Sequence, residues 1–116
     1  MSFIEQLFQI LDGVLPKRVY YGTNIVDANE LHVYPFIVYQ EISDRVQTYA
    51  DNKSAVRIIT YQITLVTESK EPTIEEQLES ALYQSGFNYQ MITEYVNDDN
   101  SVNRVYEIKQ EEIKYE

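Results

Sequence analysis

From Ile59 to Leu65 the chain alternates without a break. Ile59, Tyr61, Ile63 and Leu65 are apolar, and Thr60, Gln62 and Thr64 between them are polar. Successive strand side chains point to opposite faces, so a period of two predicts a half-buried strand of an antiparallel sheet with one wet side. Upstream, Tyr34-Pro35-Phe36-Ile37-Val38-Tyr39-Gln40 is a second strand-like run. Pro35 opens it, at a position where a missing N–H is tolerated. Phe36, Val38 and Gln40 face one way, and Ile37, Tyr39 and Glu41 the other. This strand therefore starts buried on both sides and ends wet. Between the two runs lies Asp44 to Ser54, polar and turn-rich at Asp51-Asn52-Lys53-Ser54. It predicts a long loop at a hairpin tip, and such loops are contact surfaces.

The flanking segments supply helices. Ser2-Phe3-Ile4-Glu5 is a capping box, followed by Ile4, Leu7, Phe8, Leu11 and Val14 or Leu15 at helical spacing. Phe3 and Ile10 widen the apolar face; Gly13 weakens the end and Pro16 stops it. Arg18 to Tyr21 reads as a short strand closed by Gly22, and Thr23 to Val33 as a polar loop. Thr73-Ile74-Glu75-Glu76 is a second capping box, with Pro72 just before the cap. Its helix stripes Ile74, Leu78, Ala81 and Leu82, and Gly86 sits where a C′ glycine belongs. Glu75, Glu76 and Glu79 are expected on its outer, solvated face. Phe87 to Val96 and Val102 to Ile113 are strands around Asn97-Asp98-Asp99-Asn100-Ser101. Centring that turn on Asp99 and Asn100 predicts Met91 opposite Ile108, Thr93 opposite Tyr106 and Tyr95 opposite Arg104, with Met91, Tyr106 and Ile108 on one buried face. The expected fold is α+β: a single domain over residues 1–116, a mostly antiparallel sheet with two helices packed on one face, and a long projecting hairpin loop.

A chain of 116 residues can bury a core without staples, and this one has no cysteine to form a disulfide. That composition fits a reducing cytosol. No apolar run approaches the ~20 residues of a membrane span, and Glu5 and Gln6 interrupt the early apolar segment, so neither an anchor nor a signal peptide is expected. The chain opens on Met1 and is expected to be complete. Net charge is −10, and the acids cluster: Glu68 to Asp99 contains eight acids and one base, Lys70. Such a field opposes ordinary nucleic-acid binding, which uses bases to displace counterions from phosphate. It suits solubility, or a surface from which DNA slides away. Eleven tyrosines serve strands first and interfaces second.

Catalytic patterns are missing from the sequence. His32 is the single histidine and reads as an exposed loop residue. Three glycines do not make a phosphate-cradling loop. Asp98-Asp99-Asn100 lacks the alternating ligands and distal glutamate of a calcium loop. The expectation is a non-enzyme with no cofactor, no metal and no small-molecule substrate.

Several motifs recur in a recognisable order: the N-terminal helix, Arg18-Val19-Tyr20, Pro35-Phe36-Ile37-Val38-Tyr39 and the long hairpin. Glu76-Gln77-Leu78-Glu79-Ser80-Ala81-Leu82, Gly86-Phe87 and a last strand with Arg104-Val105-Tyr106-Glu107-Ile108 complete the set. In this order the chain resembles the tail terminator or tail-completion (tail-to-head joining) proteins of long-tailed bacteriophages and prophages. The resemblance implies a structural protein, made in the bacterial host cytoplasm and placed at the head–tail junction of the virion. It implies a ring of copies, typically a hexamer, between the tail-tube protein and the head-completion or connector protein, with DNA passing through unbound. It places Arg45, Tyr49, Asp51 and Lys53 of the projecting hairpin at interfaces, and leaves Glu75, Glu76 and Glu79 as an acidic face for the channel. Other readings are a head-side connector, an acidic DNA mimic that blocks a DNA-binding enzyme, and a small α+β enzyme or ligand-binding module.

Overall fold

A computed structural model describes residues 2–22, 34–48 and 54–115. Ser2 caps the first helix as its sequence requires: its Oγ accepts the Glu5 amide at 3.2 Å and donates to Glu5 Oε1 at 2.8 Å. Helix α1 (Phe3–Val14) then turns Leu7 and Leu11 inward. Strand β1 (Val19–Tyr21) follows, then β2 (Phe36–Thr48), β3 (Ser54–Thr67), α2 (Pro72–Gln84), β4 (Tyr89–Val96) and β5 (Val102–Tyr115). The strands form one sheet in the order β1-β2-β3-β5-β4. β1 lies parallel to β2; every other pair is antiparallel.

The expected α+β class holds. Both helices lie on one face of the sheet. Leu7, Leu11, Leu78 and Leu82 pack there against Ile37, Tyr39, Ile59, Tyr61, Ile63, Leu65, Tyr106 and Ile108. Phe3 stacks on Tyr61 and meets Phe87 edge-on, tying the first helix to the segment after α2. On the opposite face a small cluster of Phe36, Val38 and Val66 is covered by Tyr20 and Tyr34. The start of β2 is therefore buried on both sides, as its sequence predicts.

Four expectations need correction. Residues 44–48 belong to β2 rather than to a loop, paired residue by residue with β3 from Asp44↔Ile59 to Thr48↔Ala55. Asp44 holds them there through a two-pronged bond with Arg57, at 2.7 and 2.9 Å. The polar side of β3 is less wet than expected, since Thr60 and Thr64 are buried. Their short side chains sit between neighbours on adjacent strands: Ser43 and Lys109 flank Thr60, and Val38 and Val105 flank Thr64. The second helix starts at Pro72, with Glu71 as a cap residue that makes no side-chain bond, so Thr73 does not form a capping box. Proline suits that first turn because its missing N–H would be unpaired anyway.

The last correction concerns β4 and β5. The Asn97 amide donates to Ser101 O at 2.8 Å, and Asn100 takes a left-handed φ of 72°, giving a three-residue turn instead of two. That moves the register by one, and a bulge between Met91 and Thr93 moves it again. Met91 faces Tyr106, Thr93 faces Val105, Tyr95 faces Asn103, and Tyr89 faces Ile108. Tyr106 and Ile108 are buried, while Met91 is exposed on the outermost strand.

Candidate interface

Arg104 shares its side of β5 with Tyr106 and Ile108, the side that meets the helices, because alternate residues share a face. A guanidinium placed there needs acids. The helix α2 supplies them: Arg104 Nη2 meets Glu79 Oε2 at 3.1 Å, and its Nε lies 3.7 Å from Glu75 Oε1. The adjacent strand supplies a third, Glu94, at 3.0 Å from Nη1. Lys70, just ahead of α2, bridges Glu75 at 2.8 Å and Glu94 at 2.7 Å. Tyr106 closes the set. Its hydroxyl accepts from Arg104 Nε at 2.7 Å and donates to Glu79 at 2.7 Å.

Three acids and two bases thus form one network between helix and sheet, with a formal charge of −1. Hydrogen bonds to Lys70, then to Arg104, hold the Glu94 carboxyl below its ordinary value despite partial burial. Burial, then the bond to Glu79, pushes the Tyr106 hydroxyl well up. Hydrogen bonds to Glu75 and Glu94 raise Lys70. The network ties α2 to β4 and β5.

This geometry divides the expected acidic face. Glu75 is only 6% exposed, and Glu79 points to Arg104 and Tyr106. Glu76 alone of the three is exposed. A continuous wall of free carboxylates on this helix is therefore absent. One sequence signal pointed to the pairing: Arg104 has the same parity in its strand as Tyr106 and Ile108, so an acid had to meet it.

Of the expected hairpin-loop residues, Arg45 is exposed in β2, in register with Ile58. Tyr49, Asp51 and Lys53 lie outside the described residues, as does His32.

The surface that sequence reasoning missed is the sheet's outer edge. β4 has β5 on one side and, among the described residues, no strand on the other. Met91, Ile92, Tyr95 and Val96 are 41%, 48%, 48% and 64% exposed along it. An open strand edge rich in apolar side chains is a template for contact with another chain. The one charge on this strand, Glu94, is already engaged by Lys70 and Arg104. The molecule is long, 53 Å against 28 and 24 Å in its other directions. Its length comes from β2, β3 and β5, which run on together past the end of β4: Lys109 to Tyr115 pair with β3 but not with β4. No helix among the described residues is long and apolar enough to cross a membrane. No protein-family model and no curated protein matches this chain.

Proposed function

We propose that this protein is a non-catalytic bacteriophage structural protein that caps the tail tube and joins tail to head. In this reading it works as a ring, expected to be hexameric, through which DNA passes, and it resides at the head–tail junction of the virion. The observation that carries the reading is the edge that one long sheet leaves open among the described residues: β4 with its exposed apolar side chains, and the ribbon of β2, β3 and β5 that runs on past it. Edges of this kind are satisfied by neighbouring chains, and a repeated head-to-tail contact closes into a ring. The tail-tube protein and the head-completion or connector protein are the partners this reading assigns to the ring's two faces. An acidic DNA mimic is the weaker reading, because a mimic needs free carboxylates along one face and three of these are tied to Lys70 and Arg104.

The test is co-purification with tail-tube protein, with molar mass followed by light scattering across protein concentration. Binding, with a mass near six copies of the 13.7 kDa chain, is expected. A protein that binds neither tail-tube nor head-completion protein would end the tail reading.

A further inference from the structure

We infer that the aromatic corner between α1 and the β1–β2 pair is a binding site for a quaternary ammonium head, a cation that carries methyl groups in place of N–H donors. It assigns binding and no reaction, and it stands independently of the tail reading.

Two periodicities build the corner. Ile4 and Phe8 stand one turn apart on α1, as do Glu5 and Gln9. Tyr21 and Tyr39 are register partners on the parallel strands β1 and β2, so their side chains leave the sheet side by side, on the face that meets the helices. Together these six residues line an open hollow of about 430 Å³. Tyr39 lies deepest, 7% exposed, while Phe8 and Tyr21 reach the surface at 38% and 52%.

The rings are set at angles to one another. Tyr21 and Tyr39 are almost perpendicular, at 79° with 5.1 Å between ring centres, and Phe8 tilts 39° from Tyr39 at 6.3 Å. A ring face is the negative side of the aromatic quadrupole, and it attracts a cation within about 6 Å of the ring centre. A corner of angled rings offers a cation more than one face at once. Glu5 is the one formal charge among the six residues, and no base lines the hollow. The local field therefore favours a positive ligand.

The kind of cation follows from the scarcity of acceptors. A primary ammonium brings three N–H donors, and each needs an acceptor once water is displaced. Glu5 already accepts the Ser2 hydroxyl on Oε1 at 2.8 Å, and the Tyr21 hydroxyl already accepts the Glu41 amide at 3.4 Å. A quaternary ammonium needs no acceptor. Its charge is spread over methyl groups, which pack on the rings and on Ile4.

The test is a titration of the full chain with choline, followed by NMR. The control is dimethylbutanol, the neutral alcohol of the same shape in which carbon replaces the charged nitrogen. Choline is expected to move the signals of Phe8, Tyr21 and Tyr39 saturably and to bind roughly fivefold more tightly than the alcohol. Phe8→Leu and Tyr21→Leu should each weaken choline by roughly two- to fivefold, whereas Tyr21→Phe, which keeps the ring, should bind like the parent. Glu5→Gln keeps a helix-start partner for Ser2, so the fold is retained. It should weaken choline and leave the alcohol unchanged. A peptide carrying trimethyllysine, titrated in parallel, distinguishes the sources of the head: tighter binding than choline assigns it to a protein partner, weaker binding to a small solute, and either order upholds the site.

Equal affinity for choline and the alcohol would overturn the proposal, leaving a plain apolar hollow. So would choline shifts that never saturate, or that persist unchanged in Phe8→Leu and Tyr21→Leu, because they would report only the net negative charge. Should a leucine variant lose its folded spectrum, Tyr21→Phe and Glu5→Gln still decide: weakened choline binding in the first, or undiminished binding in the second, would remove the site.

Discussion

Tyr106, fully buried in the last strand, donates its hydroxyl hydrogen to Glu79 of the second helix at 2.7 Å while accepting one from Arg104 at the same distance. One phenol thus joins an acid and a base across the helix–sheet boundary. Tyr106→Phe keeps the ring packing and removes only that link. Losing a hydrogen bond to a charged group in a partly buried site is expected to cost about 1–2 kcal/mol. Urea unfolding measures it, and an unchanged midpoint would show that Arg104 alone holds Glu79.

Arg104 has more to lose. It is 18% exposed and faces Glu75, Glu79 and Glu94. Arg104→Met leaves Glu75 and Glu94 to Lys70 and takes the guanidinium from Glu79, so a loss of about 3 kcal/mol is expected. The deficit should shrink in acid, where the carboxylates accept protons. A variant as stable as the parent at neutral pH would show that solvent, rather than Arg104, balances these acids.

Acid should weaken the parent as well. The Glu94 carboxyl is held below its ordinary value of 4.5, first by Lys70 and then by Arg104. As pH falls, the unfolded chain therefore takes up that proton before the folded one. The stabilisation is complete above the ordinary value and drains away below it, toward the lower folded value. Stability measured between about pH 7 and pH 3 should fall more steeply for the parent than for Glu94→Gln. Equal slopes would remove Glu94 from the acid response.

Gly86 closes the second helix at φ +85°. The Phe87 amide donates to Leu82 O at 3.0 Å and the Gly86 amide to Tyr83 O at 3.1 Å, the two bonds of a left-handed helix stop. An added methyl group meets no atom within 4 Å, so the cost of Gly86→Ala is conformational. About 1 kcal/mol is expected. A neutral substitution, read by thermal unfolding, would mean that the helix end shifts to relieve the strain.

Ile92 occupies the bulge of the outermost strand, half exposed. Ile92→Lys should change stability by no more than about 0.5 kcal/mol, because the site is on the surface. It should still reduce capture of tail-tube or head-completion protein in a pull-down. Undiminished capture of both would remove the β4 edge from the set of contact surfaces.

Much of this architecture was legible in the chain. The alternation from Ile59 to Leu65 marked the central strand, and the Ser2 cap and Gly86 stop marked one end of each helix. What stayed hidden depended on neighbours. Residues 44–48 look like a loop because their side chains are mixed, yet backbone pairing with β3 makes a strand with no apolar face of its own. The last hairpin slipped because Asn100 adopts a left-handed conformation and Ile92 is an extra residue, each of which moves the register by one. Glu75 looked solvated because nothing local to its helix indicates that Arg104, far along the chain, lies beneath it.

The ribbon of β2, β3 and β5 has a mechanical consequence. Its hydrogen bonds run across the strands, perpendicular to the long direction of the molecule. A pull along that direction loads the whole row of bonds together in shear, so they must yield at once rather than peel one by one. This part of the chain is built to behave as a stiff tie rather than a hinge.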